Sequence, residues 1–270
     1  MILAIDVGNT QTVLGLFANV PVGSASESGD VAASLLDAHW RISTNAALTA
    51  DELRIKIGAL LQAEGHDWSH VDAVVIASVV PRLTAAYEEL TTAAAGVAPM
   101  VVGPGLKTGM PIRYDNPHEV GADRIVNGVA AYEKFGGPVI VVDLGTATTL
   151  DVVDSEGAYL GGAIAPGVET SAEALFSKAA RLSKVDLEAP TSVIGRNTRA
   201  SVQAGLMLGE AAMIDGLVRR IWIELGTETP VVATGGLAER MAPLCETIGH
   251  ADVDLTLKGL LIIYQRNVGE

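Results

Sequence analysis

The feature that most constrains this chain is that it repeats its own opening at half its length. Residues 2–17, ILAIDVGNTQTVLGLF, overlay residues 139–154, VIVVDLGTATTLDVVD, at a shift of 137 in a chain of 270. Asp6 meets Asp143, Gly8 meets Gly145 and Thr12 meets Thr149, and the apolar residues before each Asp match in kind. Each copy reads as a strand, an Asp-x-Gly turn and a returning strand. Two such units at half-chain spacing predict two related α/β lobes, divided at residues 1–117 and 118–270.

The remaining pattern fits that division. Strands are expected at residues 2–5, 12–17, 39–42 and 71–77, with a helix running to Leu61 from the capping sequence Thr49-Ala-Asp-Glu52. The small polar stretch 19–30, NVPVGSASESGD, reads as a flexible surface insertion. In the second half a helix is expected over 120–135, stopped by Gly136-Gly137, then strands at 139–142 and 149–153. A long helix over 198–225 carries Gly205, Gly209 and Gly216. Each glycine costs a helix about 1 kcal/mol relative to alanine, so the three predict close helix–helix packing. A strand at 230–233, the turn Thr234-Gly235-Gly236, a helix after it and a final helix over 257–266 finish the chain.

Composition removes several classes. With 18 Lys+Arg against 32 Asp+Glu, the net charge of −14 speaks against a nucleic-acid partner, which needs a cationic stripe. At 49% hydrophobic residues the chain is not disordered. The single Cys245 excludes an intramolecular disulfide and a cysteine-based zinc site. The opening MILAIDVG lacks a basic region, and no apolar run approaches the roughly 18–20 residues that span a bilayer. The expectation is a soluble cytoplasmic protein with no membrane partner.

An Asp-x-Gly turn at a strand end suits phosphate chemistry. Glycine lets a ligand approach the backbone, and the amides and hydroxyls of Asn9, Thr10, Thr12, Thr146, Thr148 and Thr149 can hydrogen-bond phosphate oxygens. Each Asp can hold a cation or its hydration shell while phosphoryl transfer proceeds. The same residues also make an ordinary hairpin turn. No P-loop or protein-kinase signature occurs, and 103–109 reads as a plain loop. Gly121-Ala122-Asp123-Arg124 opens a helix. Asp123 there complements the helix dipole, whereas Arg124 opposes it and either reaches for an anion such as a substrate carboxylate or pairs with a nearby acid. His66 and His70 lie in a loop with no third metal ligand. VVATGG (231–236) closes a nucleotide pocket or merely connects two elements.

Taken together, Asp6-Val7-Gly8-Asn9-Thr10, Gly121-Ala122-Asp123-Arg124, Asp143-Leu144-Gly145-Thr146-Ala147-Thr148 and Gly161-Gly162-Ala163-Ile164-Ala165-Pro166-Gly167 resemble the motifs of type III pantothenate kinases in order and spacing. Thr234-Gly235-Gly236 and the ending Leu255-Thr256-Leu257-Lys258-Gly259-Leu260 are similar to that family as well. The likeness runs from residue 2 to about 266, with 19–30 as the main departure. It implies an actin/hexokinase-like, ribonuclease H-like duplicated two-lobe fold with ATP in the interlobe cleft. It also implies ATP-dependent phosphorylation of pantothenate, the first step of coenzyme A synthesis.

By this resemblance ATP phosphates lie over Asp6, Val7, Gly8, Asn9, Thr10, Gln11, Thr12 and Val13 and against Thr146. Asp123 accepts the proton of the pantothenate hydroxyl, while Tyr114, Gly121, Ala122, Asp123, Arg124 and Thr198 line the pantothenate site. Asp143 is the ligand of a potassium or ammonium ion, magnesium accompanies ATP, and the enzyme is a homodimer with the 198–225 helix as part of the contact. Two rival readings remain: another enzyme of this fold, either a kinase of another small carboxylate-bearing alcohol or an actin-like phosphatase, and a non-catalytic ATP-binding transcription accessory protein.

Overall fold

The computed structural model describes residues 1–18, 35–179, 182 and 184–268, so the expected insertion at 19–30 lies outside the described residues. Strands β1 (Ile2–Val7) and β2 (Gln11–Phe17) form the first antiparallel hairpin, and β3 (Leu36–Ser43) pairs with β2. Beyond β1, β4 (Ala73–Ser78) and β5 (Met100–Val101) join in parallel, giving the order β3-β2-β1-β4-β5. The second sheet repeats this plan with β6 (Val139–Leu144), β7 (Ala147–Val153), β8 (Tyr159–Pro166), β9 (Val231–Thr234) and β10 (His250–Ala251). Its order, read from the β8 edge, is β8-β7-β6-β9-β10, with β6–β7–β8 antiparallel and β9 and β10 parallel.

The duplication extends to an irregularity. In the first sheet the register shifts between Leu16 and Phe17, and in the second between Val152 and Val153. Those positions correspond at a shift of 136, not 137, and the difference is real. Val7 pairs with Thr12 across the first turn, whereas Leu144 pairs with Thr148 across the second, which is one residue shorter. The expected match of Thr12 with Thr149 is therefore corrected to Thr12 with Thr148. One residue moves a side chain to the opposite face of a sheet, and both Thr12 and Thr148 point inward at 1% exposure.

Each sheet has its own core on that inward face. Leu3, Ile5, Val7, Leu14 and Leu16 pack with Leu53, Ile57 and Leu61 of helix α1 (Ala50–Ala63) and with Leu83, Tyr87 and Leu90 of α2 (Pro81–Ala95). The spacing of four along α1 makes the buried stripe. Its start is the expected capping box: Glu52 N donates to Thr49 Oγ1 at 3.3 Å, and Thr49 N to Glu52 Oε2 at 2.9 Å. In the second sheet Ile140, Val142, Leu144, Leu150 and Val152 pack with Met207, Ala211, Ile214 and Val218. Burying one such aliphatic side chain contributes about 1.5–3 kcal/mol.

Three further helices matter here. Helix α3 spans Ala122–Phe135, close to the expected 120–135. Helix α4 (Val168–Lys178) follows β8. The long 198–225 helix begins as α5 (Thr198–Gln203), passes through a π-turn (Ala204–Leu208) and continues as α6 (Gly209–Leu225). Within the described chain these glycines face no close neighbour, because a Cβ added at Gly205, Gly209 or Gly216 would meet nothing within 4 Å.

The chain forms two units that differ from the expected division at 117/118. One comprises Met1–Lys134 with Leu255–Glu270, and the other Phe135–Asp254. The final helix, α7 (Leu255–Val268), belongs to the first unit. There Leu257 closes over Gly15, and Thr256 Oγ1 donates to Asn127 Oδ1 at 2.7 Å.

Candidate active site

In the first unit, the turn between β1 and β2 is closed by Gly8 N donating to Gln11 O at 3.1 Å. Asn9, Thr10 and Gln11 are exposed and Asp6 is half-buried, whereas Val7 and Thr12 turn into the core. The Thr12 hydroxyl is already engaged: it lies 2.8 Å from Thr44 Oγ1 and shares a hydrogen bond with the buried Tyr87. Burial pushes the Tyr87 phenol up to about 12, against the lowering effect of that bond. Thr12 is thus an anchor of the turn, and the groups facing outward are Asn9, Thr10, Gln11 and the backbone amides. Val13 faces the opposite side of the sheet in one cross-strand row with Asp6 and Arg41.

Arg41 was not singled out by sequence. Its Nη1 donates to Gln11 Oε1 at 3.1 Å, which brings a cation to the end of this turn. The available signal was the alternation of β3, where Asp37, His39, Arg41 and Ser43 are exposed in turn.

The same unit holds Tyr114, exposed in a loop, and Gly121, Ala122, Asp123 and Arg124, all half-buried at the start of α3. The Asp123 carboxylate folds back over this first turn, and Oδ1 accepts from Arg124 N at 2.9 Å. A Cβ at Gly121 would stand against that carboxylate, so a side chain there would make Asp123 shift. His66 and His70 have local partners: His66 Nε2 lies 2.7 Å from Asp37 Oδ2, and Asp67 N donates to His70 Nδ1 at 3.1 Å.

In the second unit, Gly145 N donates to Ala147 O at 3.0 Å and leaves Thr146 exposed at the tip. The Thr146 carbonyl accepts from Gly167 N at 3.1 Å and from Thr170 Oγ1 at 2.6 Å. Thr149 donates to Asp151 Oδ2 at 2.8 Å, and Thr148 donates to Glu210 Oε1 at 2.5 Å. Neither hydroxyl is the outward phosphate donor expected from sequence. Glu210 is 7% exposed, and burial pushes its carboxyl above the ordinary carboxylate range, with the Thr148 bond acting the other way.

Asp143 is half-buried beside this turn, and β9 brings Thr234 into register with it. Gly235 follows at φ +89°, with room there for no side chain. The Thr234 hydroxyl is buried and has no hydrogen-bond partner among the described residues. VVATGG therefore closes on Asp143. Thr198 stands apart from this group, at the start of α5 on a cavity of about 750 Å³ shared with Leu175, Arg196, Ser201 and Gly205.

Comparison with known proteins fits these motifs. A family model for type III pantothenate kinase matches residues 2–220. A type III pantothenate kinase of Moorella thermoacetica is 49% identical over 267 residues, covering 99% of this chain and 100% of its own length. One from Myxococcus xanthus is 51% identical over 267 residues, at 99% of each chain. Among solved structures, a conserved protein assigned to the Baf family of transcriptional activators from Campylobacter jejuni superposes with a TM-score of 0.61 at 17% identity over 98% of each chain. A ROK family glucokinase from Streptomyces griseus gives 0.52 at 12% identity over 97% of each chain. These structural likenesses bear on the fold, which is the actin/hexokinase-like duplicated α/β fold. From the span of the family model and near-half identity along full-length relatives, this chain belongs to the type III pantothenate kinase family.

Proposed function

We propose that the chain transfers the γ-phosphoryl group of ATP to the hydroxyl of pantothenate, giving 4′-phosphopantothenate and opening coenzyme A synthesis. The observation that carries this reading is 49% identity over 267 residues to a type III pantothenate kinase. The two Asp turns are the phosphate-holding elements, with backbone amides of residues 8–11 and the exposed Thr146 as donors. Phosphoryl transfer has a loose transition state, so the chain's task is alignment and neutralisation of charge. Asp123 takes the proton of the acceptor hydroxyl late in transfer. Arg124 binds the pantothenate carboxylate, and Tyr114, Gly121 and Ala122 shape the rest of that site.

ATP enters with magnesium, a hard cation held mainly by phosphate oxygens and carboxylates such as Asp6. A monovalent cation, potassium or ammonium, would be held by Asp143. The orphaned Thr234 hydroxyl in register with Asp143 supports this fit, because oxygen donors suit such an ion. When bound, it supplies positive charge beside the transferring phosphates. No helix among the described residues is long and apolar enough to cross a membrane. The functional unit is a homodimer. Exposed Gly205, Gly209 and Ala212 with half-buried Gly216 form an open stripe along the 198–225 helix, suited to a close contact with a second copy.

The test is ADP release with ATP, magnesium and potassium. Release is expected with pantothenate and not with glucose or glycerol. Release with either of those and none with pantothenate overturns the assignment.

A further inference from the structure

We propose that Glu210 is a positioning residue that fixes the second phosphate turn, residues 145–147, by holding the hydroxyl of Thr148. The inference rests on reading that turn as a phosphate-holding element. Thr148 is the first residue beyond the turn to pair with β6, and it also pairs with Ala165 of β8. Its side chain lies on the inward face, and its hydroxyl meets Glu210 Oε1 at 2.5 Å, both residues being buried.

The other side of the turn is fixed independently, through the Thr146 carbonyl and its bonds from Gly167 N and Thr170 Oγ1. Glu210 thus completes a clamp that leaves the Thr146 side chain exposed. The first unit gives the comparison, because its corresponding Thr12 is anchored from the same inward face by Thr44 and Tyr87. Both turns hang from a buried threonine hydroxyl. Only the second uses a carboxyl as the anchor.

A carboxyl is a costly choice for an aliphatic core. Burying one with little compensation is unfavourable, and Glu210 lies in a helix whose neighbouring buried residues are Met207, Ala211, Ile214 and Asp215, the last with its own bonds from Glu246 N and Thr247. A carboxyl oxygen accepts a short, strong bond that a hydrocarbon cannot. The helix is also adjusted at this point. The π-turn Ala204–Leu208 ends two residues before Glu210. One extra residue in a helix rotates the downstream side chains by about 100°, and such turns occur frequently at functional sites. Here it sets the azimuth from which Glu210 meets the hairpin.

The test is steady-state kinetics of the full-length enzyme with Glu210→Ala, Glu210→Gln, Thr148→Val and the double variant E210A/T148V, beside Thr146→Val. We expect E210A and T148V each to raise KM for ATP about ten-fold, the size of a lost bond to a charged group. KM for pantothenate should stay within about two-fold, and E210Q, which keeps an acceptor, should restore most of the ATP affinity. The double variant should match the singles, because both remove one contact. If T146V weakens ATP binding while E210A and T148V do not, the positioning role is overturned and the phosphate turn stands. If none of the three changes KM for ATP, the phosphate turn itself is misassigned and the inference falls with it. A double variant whose effect multiplies those of the singles also overturns the coupling. Should E210A fail to fold, T148V and E210Q carry the same decision.

Discussion

Gly235 and Asp143 are so close that a Cβ on the glycine would stand 2.5 Å from Asp143 Oδ1. The glycine also has φ +89°, where an L side chain costs about 1–2 kcal/mol. Gly235→Ala therefore strains the turn and displaces the carboxylate together. The expected outcome is a melting temperature lower by a few degrees and a weakened response of activity to potassium. Thermal melts and potassium titrations of the variant check both; a wild-type response in each contradicts the placement.

Removing the carboxylate itself is a cleaner probe of the ion. Asp143→Ala should abolish activation by potassium, leaving the same low rate in potassium and in sodium. Activity that still rises with potassium and not sodium would place the ion elsewhere.

Arg41 addresses a problem set by composition. A chain of net charge −14 must attract ATP and a carboxylate substrate, so local cations and bound metal ions have to offset that charge. Arg41 is exposed and reaches Gln11 at the end of the first turn. Arg41→Ala should raise KM for ATP several-fold with kcat little changed, and stability should move by less than about 0.5 kcal/mol, as for a surface site. The rise should shrink in high salt, where screening already weakens the attraction. Equal KM values for variant and wild type at low salt would remove this role.

The open glycine stripe makes a prediction about assembly. Nothing lies within 4 Å of a Cβ at Gly209, so a side chain there is tolerated by the isolated fold. In a two-fold contact the same patch meets itself, and two like charges would be brought together. Gly209→Glu should sediment as a monomer with unchanged helical content. A dimer as tight as wild type would move the interface off this helix.

Much of this arrangement was legible in residue order. The strand–Asp-x-Gly–strand repeat gave the two sheets because apolar runs and turn glycines are local signals. The Thr49–Glu52 capping box set the start of α1 for the same reason. What escaped depends on contacts distant in sequence or on a single residue of turn length. The second turn is one residue shorter than the first, so a constant shift paired Thr12 with Thr149, where the fold pairs it with Thr148. Glu210 sits 62 residues from Thr148, within a buried apolar face, with no spacing to mark it. The return of α7 to the first unit is likewise settled by Leu257 over Gly15 and by Thr256 on Asn127, neither visible locally. The cost of the helix glycines implied a close partner, and among the described residues the chain itself does not supply one.

If Asp123 accepts the pantothenate proton while phosphates are held elsewhere, its loss shows in turnover and not in nucleotide binding. The most direct measurement is the rate of 4′-phosphopantothenate formation by Asp123→Asn, set beside its ATP affinity. kcat should be lower by about 10²-fold or more, as for a lost general base, with ATP affinity and melting temperature near wild type. Near-normal formation of 4′-phosphopantothenate by the variant would contradict it.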